Sequence, residues 1–214
     1  MAKNNKIYIP ADAIAKHEDF DTWYEDGSLF YRFESPKGWS SEKDKVVIIG
    51  RMGGQTGAIK PDSKTVGYYL SIGQWEYYFR TYLIFKHYGV EGMLWDIKGT
   101  LTDLPLDFVG EHGSSEKDVR YTKDVHVSLV TFNDQPCYEV RVKDLKVLRV
   151  AVASVVAMAI KEEWKGFSEG EGHSDKEGLL ARAKRAVSET FTRRGPISYE
   201  ELVQAEILEA KAED

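Results

Sequence analysis

The sequence predicts a mainly β protein of the α+β class: an antiparallel β-barrel enclosing a central apolar helix, followed by a C-terminal helical hairpin. Three observations predict it. From Ser28 to Val142, short runs rich in β-branched and aromatic residues alternate with Gly, Pro and Asp, as meandering antiparallel strands require. The stretch VLRVAVASVVAMAIKEEW, Val147 to Trp164, contains an uncharged segment from Val150 to Ile160. Beyond it, two Ser-x-x-Glu boxes, Ser174 to Glu177 and Ser198 to Glu201, mark helix starts.

The strand runs are LFYRF, KVVIIG, TVGYYLSI, WEYYFRTYLIF, MLWDIKG, LDFVG, DVHVSLVTF and CYEVRV. WEYYFRTYLIF is the ambiguous one, because Trp75, Phe79 and Tyr82 to Leu83 also fall at helical spacing. We read it as a strand, in keeping with its neighbours. The segment from Val147 to Trp164 is apolar around the whole helix circumference, so it is buried on every side or lies in lipid. Arg149 and Lys161 bracket roughly half of the about 20 apolar residues that a bilayer needs, so it does not span a membrane. In a chain otherwise made of strands, a sheet curled around the helix is the simplest enclosure. Ala151, Ala153, Ser154, Ala157 and Ala159 would let strands approach it closely. The alternative is a helix held between a sheet and the tail helices.

GFSEGEGHSDKEG then reads as a linker. The hairpin after it carries Leu180, Ala183, Val187 and Phe191 on one face and Leu202, Ala205 and Leu208 on the other, joined by RRGP. The predicted division is 1–165 for the barrel, with its buried helix at 147–164, and 166–214 for linker and tail. Two short helices with narrow apolar stripes need a further surface, so self-association through the tail is expected.

Composition bounds the chemistry. With 29 Lys and Arg against 35 Asp and Glu, the net charge of −6 argues against a surface given over to phosphate backbones. The single cysteine, Cys137, excludes an intrachain disulfide and a cysteine-based zinc site. MAKNNKIYIPADAIAKHEDF lacks the apolar run of a secretory signal, and a cytoplasmic location is expected.

No constellation argues for catalysis, and no cofactor or metal is expected. GRMGGQTG, Gly50 to Gly57, is followed by AIKPDSK and not by a helix, so it reads as a hairpin loop and not as a phosphate cradle. His17, His87, His112, His126 and His173 lack metal-ligand spacing. Cys137 lies in a strand run, where a small buried hydrophobe is the simpler reading. The tail holds the candidate anion- or lipid-binding residues Arg182, Lys184, Arg185, Arg193 and Arg194, whose alternative is an ordinary solvated face. The aromatic stretch GYYLSIGQWEYYFRTYLIFKHY, Gly67 to Tyr88, is read as core, with base stacking as the alternative.

YGVEGMLWDIKGTLTDLPLDF, Tyr88 to Phe108, and CYEVRVKDLKVLRVAVASVVAMAI, from Cys137 onward, resemble the tubby C-terminal-like superfamily and within it the LURP-one-related proteins, which are related to phospholipid scramblases. The likeness covers Ser28 to Lys165. It implies a barrel of about twelve strands wrapped around the helix, and a non-catalytic module binding anionic phospholipid at a cytoplasmic membrane face. The phosphoinositide-holding residues of tubby proteins have no matching motif here, and none is carried over. Family members usually finish soon after the helix, whereas this chain continues; GPISYEELVQAEILEA resembles the SHOCT oligomerisation module. KVVIIGRMGG and RYTKDVHV also resemble strands of bacterial single-stranded-DNA-binding proteins, which lack the apolar helix. Single-stranded nucleic-acid binding is therefore the second reading, and a structural subunit of a larger assembly the third.

Overall fold

The computed structural model describes residues 5–40, 43–64, 67–82, 87–112 and 120–168. The predicted linker, capping boxes and helical hairpin lie outside them. Twelve strands follow one another in sequence: β1 (Lys6–Pro10), β2 (Phe20–Tyr24), β3 (Leu29–Glu34), β4 (Val46–Gly50), β5 (Gln55–Pro61) and β6 (Tyr68–Ile72), then β7 (Trp75–Tyr82), β8 (His87–Glu91), β9 (Trp95–Lys98), β10 (Leu106–His112), β11 (Arg120–Phe132) and β12 (Gln135–Val142). A 3₁₀ turn, Leu145–Val147, leads into α1 (Leu148–Ser168).

Each strand pairs antiparallel with the next, and β1 pairs with β12 from Lys6↔Arg141 to Pro10↔Cys137, closing the barrel. Closure leaves no unpaired sheet edge. Register shifts at Thr22/Trp23, Ile48/Ile49 and Phe108/Val109 mark irregular pairs, which increase local twist and help the sheet curl. WEYYFRTY is a strand, as its neighbours suggested. The β region starts earlier than the sequence indicated, because KIYIP and FDTWY form β1 and β2 ahead of Ser28. Both are short; β1 is defined by pairing with the distant β12, and β2 by pairing with β1 and β3.

Alternation sends one face of the sheet inward. Ile7, Phe33, Ile48, Leu70, Phe79, Ile97, Phe108, Val127 and Val140 come from nine strands and join one apolar core. The same core holds α1, where every residue from Val150 to Met158 is at most 2% exposed. That span exceeds two helical turns, so no face of the helix meets solvent there. Ser154, buried within it, donates its hydroxyl to the Val150 carbonyl at 2.7 Å and leaves no stranded polar group.

The register fixes two ends. At the upper end, β12 leads into α1 and the turns at 25–28, 51–54, 73–74 and 92–94 join neighbouring strands. At the lower end lie the connections at 11–19, 35–45 and 99–105. Glu162 of α1 is held at the lower end, where it accepts hydrogen bonds from the Leu101 backbone N–H (2.9 and 3.0 Å to its two oxygens) and from the Tyr88 hydroxyl (3.1 Å). Burial and the neighbouring Glu162 carboxylate push the Tyr88 phenol well above its ordinary value.

Candidate functional site

Met52, Trp75 and Leu94 gather at the upper end on three consecutive hairpins, β4–β5, β6–β7 and β8–β9. They are 97%, 63% and 66% exposed, and Leu145, just before α1, is 43% exposed. Local geometry explains why each projects. GRMGGQTG forms the β4–β5 hairpin, in which the Gly53 and Gly50 N–H groups donate to Gly50 and Gly54 carbonyls at 2.8 and 2.9 Å. Those donors are used inside the turn, as the hairpin reading required, and Met52 stands at its tip. Trp75 opposes buried Ile72 across a two-residue turn begun by Gly73 at φ 61°. Direct partners share a face, so Trp75 continues the inward face past the end of the core. Leu94 follows Gly92 in a tight turn and has φ 53°, a conformation that side chains other than Asn and Asp rarely adopt.

Charge at this end is unevenly matched. Glu25 pairs with Lys6 at 3.1 Å, Glu91 pairs with Arg80, and Glu76 accepts from the Ser71 hydroxyl at 3.1 Å. Asp144 accepts from the Lys146 backbone N–H at 3.0 Å. Asp26 accepts from the Ser28 hydroxyl and N–H at 2.6 and 2.9 Å; these bonds hold its carboxyl below the usual range, with a smaller contribution from the charge of Arg51. By contrast, Arg51, Lys143, Lys146 and Arg149 form no ion pair with a described residue.

The other polar clusters are internally balanced. On the outer wall, Asp107 bonds Lys123 and His126 across β10 and β11. Partial burial pushes its carboxyl up, but the two hydrogen bonds and their charges outweigh this and hold it below the ordinary value. Tyr8 donates to Glu139 at 3.1 Å, and Arg141 donates to the other oxygen of Glu139 at 2.6 Å. Burial, then the bond to Glu139, pushes the Tyr8 phenol up to about 12. A groove of about 220 Å³ between the β1–β2 loop and β3 contains Asp12, Lys16, Asp19, Asp21 and Arg32. It is smaller than a usual ligand pocket, and most of its charges are committed: Lys16 to Asp12, Arg32 to Asp21, and Asp19 to the Ser35 N–H and Trp39 indole; Glu18 also lines it.

The predicted anion-binding residues Arg182, Lys184, Arg185, Arg193 and Arg194 lie outside the described residues. Among those described, no three His, Cys, Asp or Glu side chains are grouped to hold a metal, and no helix is long and apolar enough to cross a membrane. Cys137 is buried on β12, and burial raises its thiol. The aromatic stretch divides: Tyr68, Phe79 and Tyr88 are core, while Tyr69 and Tyr78 pair outside at 5.1 Å. Sequence reasoning had absorbed Trp75 into a core run and passed over Met52, Leu94 and Leu145. A Met between Arg51 and Gly53, in a loop too short to fold back, was the available signal. Comparison with family models, curated proteins and solved structures returns no match.

Proposed function

We propose that the chain is a non-catalytic binding module, a β-barrel around an axial helix, that binds anionic phospholipid at a cytoplasmic membrane face. Three facts support an axial helix: burial around its full circumference, membership in one core with residues from all twelve strands, and contacts from the β12 end of the barrel to Leu101. Twelve antiparallel strands also match what the resemblance to tubby-like and LURP-one-related proteins implies. A lumen filled in this way leaves binding to the outer surface and the rims.

The observation that carries the lipid reading is the set Arg51, Lys143, Lys146 and Arg149, cations at one end whose acidic neighbours are already engaged. Juxtamembrane basic residues contribute about 1 kcal/mol each near an anionic leaflet. Nucleic acid is disfavoured by the outer aromatic pair, because the Tyr78 hydroxyl is bonded to the Asp62 carboxylate at 3.3 Å, a charge that repels a phosphate backbone. Co-sedimentation of the full chain with phosphatidylcholine vesicles, with and without phosphatidylserine, tests the proposal. Binding should require phosphatidylserine and weaken as salt rises. Salt-sensitive binding to single-stranded DNA without vesicle binding would replace it with the nucleic-acid reading.

A further inference from the structure

The cations explain attraction to a charged surface, but they leave Met52, Trp75 and Leu94 without a reason to be exposed. Isolated apolar side chains on a surface are ordinary. These three occupy consecutive hairpins at one end, with Leu145 at the same end. Leu94 also holds a positive φ that Asn or Gly would adopt with less strain. Folding gains little from a strained, solvated leucine. We infer that this rim is a membrane-penetrating surface, in which the three hairpin tips enter the headgroup and acyl boundary of an anionic bilayer while Arg51, Lys143, Lys146 and Arg149 meet its phosphates. The inference rests on the phospholipid reading above and adds to it a place and a mode.

The chemistry of the rim favours a bilayer over a second copy of the chain. Four separated side chains offer a few hundred Å² at most, below the roughly 800 Å² per partner that a stable protein interface buries. Separate tips with polar residues between them lack the continuous face that such an interface packs. A fluid bilayer needs no such complementarity. Trp favours its interface, and adsorption there scales with inserted apolar area plus attraction between basic residues and anionic lipid. Of the described acids at this end, Glu25 and Glu91 are neutralised by Lys6 and Arg80, while Asp26, Glu76 and Asp144 keep their charge and are offset by the four cations.

The test uses the full chain, phosphatidylcholine–phosphatidylserine vesicles with and without brominated acyl chains, and three variants: Trp75→Phe, Met52→Ser alone, and the triple Met52→Ser, Trp75→Ser, Leu94→Ser. Brominated lipid should quench part of the wild-type tryptophan emission, and Trp75→Phe should bind while losing that quenching. The triple variant should bind about tenfold more weakly or worse, from the apolar surface lost. Wild type should keep a salt-resistant fraction of binding that the triple variant lacks. All three positions are exposed, so unchanged melting temperatures are expected; should the triple variant melt lower, Met52→Ser must still weaken binding.

Wild type that ignores vesicles sinks both the phospholipid reading and this inference. Wild type that binds vesicles, with rim variants binding equally or with no quenching through Trp75, sinks the inference alone. If light scattering shows a dimer that the triple variant abolishes, and vesicles do not bind, the rim is an interface between copies.

Discussion

The two ends of the barrel treat the same kind of side chain in opposite ways. At the lower end, Ala13, Ile14, Trp39 and Leu101 sit in connecting loops and are buried with the core. At the upper end, Met52, Trp75 and Leu94 sit at or beside turns and are exposed. Loop length separates them. The lower connections, 11–19, 35–45 and 99–105, have enough chain to fold back over the core, and they are fastened there. Asp19 accepts from the Trp39 indole at 3.0 Å, and Glu162 accepts from the Leu101 N–H. The upper turns, 51–54, 73–74 and 92–94, are too tight for that. An apolar residue placed in such a turn cannot help close the protein, so it remains available to something else.

The sharpest way to break this comparison is to remove the same residue type from each end. Trp39→Ala should cost about 3–5 kcal/mol in chemical denaturation, through lost burial and the loss of one of the two hydrogen bonds that Asp19 accepts. Trp75→Ala should stay within about 0.5 kcal/mol of wild type. Equal costs would mean that the upper rim is structural after all.

Glu162→Ala comes next, with an expected loss of about 1–3 kcal/mol, because it removes the acceptor of the Leu101 N–H and of the Tyr88 hydroxyl at the lower end. Unchanged stability would show that the carboxylate does not fasten that end.

Tyr88 and Tyr8 set an alkaline limit. Both phenols titrate higher in the folded chain than their ordinary 10.0, Tyr8 at about 12. Their contribution is therefore complete below pH 10 and is lost as pH rises through 10 toward the folded values, where the unfolded chain releases protons first. Denaturation midpoints measured across that range should fall with pH, and Tyr88→Phe should flatten the slope. A slope identical to wild type would remove Tyr88 from the account.

The smallest effect has the opposite sign. Leu94→Asn should leave stability unchanged or raise it by up to about 1 kcal/mol, since Asn accepts a positive φ more readily, while vesicle binding weakens. If the substitution destabilises the fold instead, Leu94 has a packing role.

The legible parts of this fold were those that local pattern determines. Apolar runs located β3, β4, β6, β7 and β9 to β12, and the uncharged run located α1, because burial writes itself into residue order; β5 (QTGAIKP) and β8 (HYGVE), whose residues carry little such pattern, were not read as strands. The closing strands β1 and β2 were missed, since KIYIP and FDTWY become strands through pairing with Val142-side and Leu29-side partners. The rim was illegible for a related reason. Trp75 lies in a run of core-like aromatics, and only the register against Ile72 shows that the core has ended before it. The basic tail residues Arg182, Lys184, Arg185, Arg193 and Arg194 stood out by composition alone and lie outside the described residues.

The pairing of β1 with β12 also constrains the order in which the molecule can assemble. Lys6 meets Arg141, so the first strand made on the ribosome waits for the last, and the helix that completes the core is made later still. Until then the β1 and β12 edges remain open as a seam, able to pair with another chain. Contacts of such sequence separation slow folding toward the millisecond-to-second range. A nascent chain halted before Gln135 would hold eleven strands and leave β1 without the partner that closes the barrel.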